Sequence, residues 1–571
     1  MPSVGTLIVD TLVRNGIDRV FCVPGESYLG LLDALYQRDD IDTVVCRHEA
    51  GAGFMALADA RLSGVPGIAC VSRGPGASNA AIAVHTAQQD GVPFILLVGQ
   101  VPTQDVRRDS FQEIDYGHMF GRIAKWTAEI TDPERAPEVM LRALVTAMTG
   151  TPGPVVVVVP EDVLTANLDA LPVTVPALPA TAPDPAQLGA LRDALATAER
   201  PLAIVGSAFD RPGGRAAIGD FLSAWQVPAV VSFRRQDLVD NTERQYAGDM
   251  GLANPADQMA ALRDADLLLV LGARLSDITT QGYSYPRMVR PEMTLVHVHA
   301  DPAQIGTHFA PDLSFVCDPI RFVTEMGLAA PPPPDGRAAW TDRLRAIRNG
   351  IAAPRSFSVT DGIPFETVVH RMGEILPENA IVTVDAGTFG APVYRVVPFR
   401  PSQRLLAPIS GAMGFGIPAA VAAGLRRPGT PVICLVGDGG FLMTGSELSV
   451  AMERGLPLKV ILSENGVYAS IRINQERQFP GRPVGTGFVN PDLELMGRAY
   501  GFAVTRLKTE ADLDRLPALL AAPGPQFIVV DTSLDAVLPG NSQAAATSTM
   551  GPAEPVPESK RPTRQREGKA L

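Results

Sequence analysis

The sequence predicts an α/β protein made of three doubly wound parallel-sheet domains. Short continuous runs of Val, Ile and Leu, as in strands buried on both faces, alternate with longer helical stretches. Two proline-rich stretches, at residues 172–185 and 331–334, split the chain. The 571 residues suit about three domains at roughly 100–200 residues each.

The elements follow in order. Residues 1–168 form a first domain, with strands expected at 68–72, 94–99 and 155–160, a strand ending at 44–46 and a strand-end turn at 23–26. A linker, 169–188, leads to a central domain, 189–330, with strands at 202–206, 229–232, 267–272 and 295–299. A second linker, 331–357, precedes the last domain, 358–540, with strands at 381–384, 432–437, 459–463 and 527–531. The tail, 541–571, has almost no large apolar residues and is expected to be disordered. Helices between the strands imply parallel sheets with right-handed crossovers, whose ligands sit at the carboxyl ends of strands.

Composition narrows the function. The net charge of −12 argues against nucleic-acid and anionic-membrane binding. No apolar run approaches the ~18 residues that span a bilayer, and the N-terminus lacks a basic region and a small-residue cleavage site. A cytoplasmic enzyme is expected. The five cysteines are odd in number, widely spaced and without a Cys-x-x-Cys pair, so they read as buried reduced thiols. The histidines show no metal-ligand spacing.

The third domain carries the most specific pattern. A strand runs into Gly437-Asp438-Gly439-Gly440, and Ser463-Glu464-Asn465-Gly466-Val467-Tyr468 ends the next strand. Alone, Gly-Asp-Gly reads as a surface turn. Two strand ends spaced this way place an acid and a carboxamide beside glycines that let backbone N–H groups approach a diphosphate. Mg²⁺ prefers about six oxygen ligands, which such a site can share with phosphate.

Here the chain resembles the thiamine diphosphate (ThDP) enzyme family, and among its members the acetolactate synthase large subunits. The family motif is Gly-Asp-Gly followed, after such a gap, by Asn-Asn. The resemblance implies that Asp438, the Asn465 side chain and the Val467 carbonyl hold Mg²⁺. It places Gly437, Gly439, Gly440 and Tyr468 around the cofactor. Met413, in Gly411-Ala-Met413-Gly-Phe-Gly416, would support the central ring, and Asp385-Ala-Gly387-Thr388 would form the other diphosphate loop. One departure is that Glu464 stands where the first Asn is usual.

In the first domain, Arg47-His48-Glu49 ends a strand and opens a small-residue helix. A lone Glu there also suits the helix dipole. The resemblance makes Glu49 the catalytic acid that contacts the aminopyrimidine ring and favours its imino form, so that the cofactor activates itself. Gly25 and Gly76 lie in two further strand-end turns that it assigns to the cofactor. Phe111-Gln112-Glu113 resembles a segment lining the substrate side. Glu26 and His85 read equally as proton-transfer groups and as structural ones.

The central domain contains Gly272-Ala-Arg274-Leu-Ser276-Asp277-Ile278 and His299-Ala-Asp301-Pro302, both resembling acetolactate synthases. FAD binding stays open, because residues 206–214 read equally as a nucleotide loop and as a plain turn. Ile278 replaces an Arg that positions the acceptor carboxylate in the family. Losing such a contact costs on the order of 1.5–3 kcal/mol, which leaves the acceptor without a carboxylate or hands it to another Arg, such as Arg234 or Arg235.

The resemblance implies a homodimer or tetramer with active sites between subunits. Its reaction would be ThDP- and Mg²⁺-dependent decarboxylation of a pyruvate-like 2-oxo acid, with carboligation of the acyl unit to a second carbonyl. The alternatives are a decarboxylase that releases an aldehyde and a catalytically silent ThDP-binding scaffold.

Overall fold

Eighteen strands assemble into three six-stranded sheets in a computed structural model that describes residues 1–177 and 180–538. The first sheet contains β1 (Arg19–Cys22), β2 (Asp42–Val45), β3 (Gly67–Val71), β4 (Phe94–Gln100), β5 (Trp126–Glu129) and β6 (Pro154–Pro160). The second contains β7 (Pro201–Val205), β8 (Ala229–Ser232), β9 (Tyr246–Met250), β10 (Leu267–Leu271), β11 (Thr294–His299) and β12 (Leu313–Val316). The third contains β13 (Ile381–Val384), β14 (Arg404–Leu406), β15 (Val432–Gly437), β16 (Lys459–Glu464), β17 (Ala503–Leu507) and β18 (Gln526–Asp531). Neighbouring strands pair in parallel throughout. The expected fold class of three parallel-sheet α/β domains holds.

The orders are β2-β1-β3-β4-β6-β5, β12-β11-β10-β7-β8-β9 and β14-β13-β15-β16-β18-β17. The first and third sheets therefore share one topology. Their switch points lie between β1 and β3 and between β13 and β15, where loops from adjacent strands diverge. The middle sheet has the 3-2-1-4-5-6 order of dinucleotide-binding folds, with its switch point between β7 and β10.

The central strands are apolar and buried along their length, as in β3, β4, β6, β7 and β10. Helices cover both faces. The first and third domains share a core. The small-residue helix Glu49–Ser63 packs against the helix Gly416–Arg426, and Phe54 meets Phe415 edge-on at 5.6 Å.

Two stretches differ from the sequence expectation. The segment 331–357, read from its prolines as a linker, contains a helix, Gly336–Ala352. Its Trp340 and Leu344 are buried against the middle sheet, and Trp340 Nε1 donates to the Pro201 carbonyl at 2.8 Å. The prolines end before this amphipathic face begins. Second, five edge strands (β5, β9, β12, β14 and β17) were not expected. All five cysteines are free and buried. No helix among the described residues is long and apolar enough to cross a membrane. The expected disordered tail, 541–571, lies outside the described residues.

Candidate active site

Asp438 follows β15 directly and is buried at the switch point of the third sheet. Its Oδ1 accepts from the Gly439 N–H at 2.8 Å. Its Oδ2 accepts from the N–H groups of Asn465 (2.9 Å) and Gly466 (2.7 Å) and from Asn490 Nδ2 (2.9 Å). The turn after β16 is thus folded over the Asp438 carboxylate, and Asn465 Oδ1 accepts from the Val467 N–H at 3.0 Å. Residues 486–488 pin this turn: Tyr468 N–H donates to Thr486 (2.8 Å), Phe488 N–H donates to Gly466 (2.9 Å), and the Tyr468 and Phe488 rings lie 4.8 Å apart.

The glycines form a cradle that side chains would fill. A Cβ on Gly439 would sit 2.6 Å from the Tyr468 ring and 3.4 Å from the Met413 methyl, and one on Gly440 would sit 3.1 Å from the Asp385 carboxylate. Gly387 and Gly437 both abut the Phe389 ring, and Thr388 opens the short turn between them. Asp385 is fully buried and accepts from the N–H groups of Ala386 (2.6 Å), Gly414 (2.9 Å) and Gly416 (3.1 Å). It fastens the Met413 loop to the end of β13, and burial pushes its carboxyl up to about 6 against those hydrogen bonds.

The donor set at this cradle fits Mg²⁺ and a diphosphate. No group of three His, Cys, Asp or Glu placed to hold a metal ion occurs among the described residues. A cation here would rest on one carboxylate and neutral oxygens, which suits a hard ion that keeps phosphate and water ligands. Glu464 does not intrude. Its Oε2 lies 2.8 Å from the Arg506 guanidinium, and its Oε1 accepts from Asn490 Nδ2 at 3.2 Å. Asn490 links Asp438 to Glu464, and its position in the sequence gave no sign of this.

The first-domain candidates gather at the matching switch point. Glu49 opens the helix Glu49–Ser63 after β2 and is half-buried. Its Oε2 accepts from Asn79 Nδ2 at 2.9 Å, and a Cβ on Gly76 would sit 3.4 Å from its Oε1. Gly25 packs on Ser72, where a Cβ would fall 2.6 Å from the Ser72 Cβ. The Gln112 carbonyl covers Gly74. Phe111 is 76% exposed, and Glu26 is exposed. Glu447, from the third domain, was not foreseen. Fully buried, it accepts from the N–H groups of Arg47 (3.1 Å) and His48 (2.9 Å) just ahead of Glu49. Burial pushes its carboxyl up to about 7 despite those donors.

At the switch point of the middle domain, where FAD was left open, the turn is closed largely on itself. In the turn after β7, the Gly206 N–H donates to Leu271 (2.9 Å), Ala208 to Gly272 (3.2 Å), Phe209 to Gly206 (3.3 Å) and Asp210 to Ser207 (2.9 Å). These four N–H groups are satisfied within the turn and by the loop after β10. His299, at the end of β11, is lowered by burial to about 4. The two arginines considered for the acceptor are also occupied. Arg234 donates to the Pro408 carbonyl. Arg235 is buried and donates to the carbonyls of Arg234 (3.0 Å) and Asp90 (3.3 Å).

Comparison with known proteins gives the same division. The family models for the N-terminal TPP binding domain, the central domain and the C-terminal TPP binding domain of thiamine pyrophosphate enzymes match residues 2–119, 188–326 and 385–530. The acetolactate synthase isozyme 1 large subunit of Escherichia coli (strain K12) is 30% identical over 531 residues, covering 92% of each chain. The acetolactate synthase large subunit of Lactococcus lactis subsp. lactis (strain IL1403) is 30% identical over 529 residues, covering 90% of each. The isozyme 2 large subunit of E. coli is 29% identical over 551 residues, 95% of this chain and 98% of that one. With three family domains in order and this identity over nearly the whole length, the chain belongs to the thiamine pyrophosphate enzyme family.

Proposed function

We propose that this enzyme decarboxylates a pyruvate-like 2-oxo acid and ligates the acyl unit to a second carbonyl compound, as the names of its acetolactate synthase relatives suggest. The observation that carries the reading is the glycine cradle around Asp438, Asn465 and Met413. Asp438, the Asn465 carboxamide and the Val467 carbonyl would hold Mg²⁺, and Gly437, Gly439 and Gly440 would let backbone approach the diphosphate. Bound thiamine diphosphate supplies the electron sink that makes loss of CO₂ feasible. Glu49 would hold a proton at the pyrimidine ring nitrogen, with Asn79 fixing one carboxylate oxygen. Gly25, Gly76, Gly387, Thr388 and Tyr468 would line the cofactor.

We also propose a homodimer or a tetramer, in the cytoplasm. Glu49 hydrogen-bonds Asn79, and among the described residues no hydrogen bond or ion pair links it to those around Asp438. Exposed apolar side chains flank both walls: Met443, Ile471 and Val489 on the third domain, Ile82 and Phe111 on the first. A second copy that joined the two walls would cover them.

The test is incubation of the full chain with ThDP, Mg²⁺ and a panel of 2-oxo acids, with CO₂ and products followed by mass spectrometry. CO₂ release with acyl transfer supports the reading. Aldehyde as the sole product would favour a simple decarboxylase, and no CO₂ with any substrate would overturn both. Glu49→Gln should lower kcat by about 10²–10⁴-fold.

A further inference from the structure

The family's acceptor-carboxylate arginine is replaced by Ile278, and Arg234 and Arg235 are occupied. Arg73 differs from both. It ends the turn after β3, and its side chain is only 13% exposed, yet its guanidinium donates no hydrogen bond to any described residue. The Nε is buried without a partner. The nearest carboxylate oxygen, on Glu161, is 3.9 Å away. A charged group largely withdrawn from water, with one long ion pair and no hydrogen bond, is costly. Arg61, Arg215, Arg234 and Arg235 each also keep one buried nitrogen without a partner, but their guanidiniums donate other hydrogen bonds, as Arg61 does to Asp210 at 2.8 Å.

Arg73 also stands on the wall that bears Glu49. Its backbone N–H donates to Ser27 Oγ at 3.1 Å, beside Gly25 and Glu26. Three residues further on, Gly76 faces Glu49 Oε1. The Arg73 guanidinium carbon lies 6.0 Å from the centre of the exposed Phe111 ring. An apolar surface beside a guanidinium that makes no hydrogen bond and only a long 3.9 Å ion pair is a receptor for a small carboxylate with a short hydrocarbon part.

We propose that Arg73 binds the carboxylate of the acceptor, so that the acceptor is itself a 2-oxo acid. This rests on the decarboxylation and carboligation reading above. Chemistry decides which carboxylate it holds. A donor's carboxylate leaves as CO₂, and an ion pair that stabilises it in the ground state opposes its departure. An acceptor's carboxylate is retained in the product, so pairing it costs nothing in the bond-forming step. Before that step the donor's bond to its carboxylate breaks and CO₂ leaves. The electron pair left behind forms the new bond to the acceptor's carbonyl carbon, and the acceptor's oxygen takes a proton. Two pyruvate anions and one proton thus give one acetolactate anion and one CO₂.

The test uses the full-length holoenzyme with ThDP and Mg²⁺, as wild type, Arg73→Met and Arg73→Lys. Pyruvate is given alone and with benzaldehyde, an acceptor lacking a carboxylate. In Arg73→Met the ratio of acetolactate to CO₂ should fall about 10- to 100-fold, the range of a lost charge-assisted hydrogen bond. Arg73→Lys should fall between it and wild type. The ratio of benzaldehyde-derived product to CO₂ should not fall, a pattern that a merely structural role would not produce. An unchanged acetolactate ratio in Arg73→Met overturns the proposal, and so does a wild type that releases CO₂ without acetolactate, which leaves decarboxylation standing. If no 2-oxo acid releases CO₂, the functional reading fails by itself and pyruvate's stabilisation of the protein in a thermal melt decides on Arg73. Equal stabilisation of wild type and Arg73→Met, or none of either, overturns the proposal. Stabilisation of wild type alone upholds it.

Discussion

Asp438 accepts four hydrogen bonds, and one of them comes from a residue 52 positions away, Asn490. Partners that orient a metal ligand typically contribute 10- to 100-fold to affinity. Asn490→Ala should therefore weaken Mg²⁺-dependent ThDP binding by about that factor, read from fluorescence titration. Asp438→Ala should do so at least as strongly, and a variant pair with unchanged binding would remove both from the site. Glu447 gives a pH effect. The folded state keeps its proton up to about 7, whereas the ordinary value is 4.5. Between those values the folded state binds more protons than the unfolded, so this group's contribution is full below 4.5 and is lost as pH rises through about 7. In Glu447→Gln the fall in melting temperature across that window should be shallower than in wild type. Parallel curves would mean that Glu447 is ionised throughout. The motif residues were legible because spacing along the chain carries them. Asn490 and Glu447 were not, because each acts on a partner that only folding brings near.

At the scale of elements, legibility followed burial. Central strands such as β4 and β6 are buried along their whole length, so both faces must be apolar and the run is continuous. The missed strands lie at sheet edges. β5 is half-buried to exposed along its length, β12 alternates with exposed residues, and β14 is three residues long. β9, Tyr-Ala-Gly-Asp-Met, is buried but carries Gly and Asp, which are depleted in strands. The small residues of the helix Glu49–Ser63 have a packing reason. A methyl on Gly53 would overlap the Ala83 methyl on the neighbouring helix, Gly74–Asp90. Ala gains about 1 kcal/mol over Gly in an open helix, but overpacking costs about 1–3 kcal/mol. Gly53→Ala should thus lower the melting temperature. A rise would show that the two helices can separate freely.

Across the whole molecule, a buried ion cluster joins the three domains. Arg61 of the first and Arg404 of the third both pair with Asp210 of the second, and Arg404 also reaches Asp237 at 3.0 Å. Burial alone would raise the Asp210 carboxyl, but the two guanidiniums outweigh it and hold it well below the usual range. Removing one member of such a cluster leaves buried charge unpaired and costs about 3–5 kcal/mol. Asp210→Asn should therefore lower the melting temperature and divide the calorimetric transition as the domains lose their common anchor. A single unshifted transition would rule the cluster out as that anchor.

By itself the sequence determined the three parallel-sheet domains and their order, and it singled out the Asp438 and Glu49 sites as candidates. Apolar runs, glycines at strand ends and motif spacing are local features of the chain. Tertiary structure alone decided that Glu464 turns to Arg506, that the turn after β7 bonds to itself and to the loop after β10, that the helix Gly336–Ala352 belongs to the middle sheet, and that Arg73 makes no side-chain hydrogen bond beside Phe111. Each of these outcomes depends on which groups meet across different strands and loops. The positions of residues along the chain do not encode that proximity, and partnering or its absence sets the energy of a buried polar group.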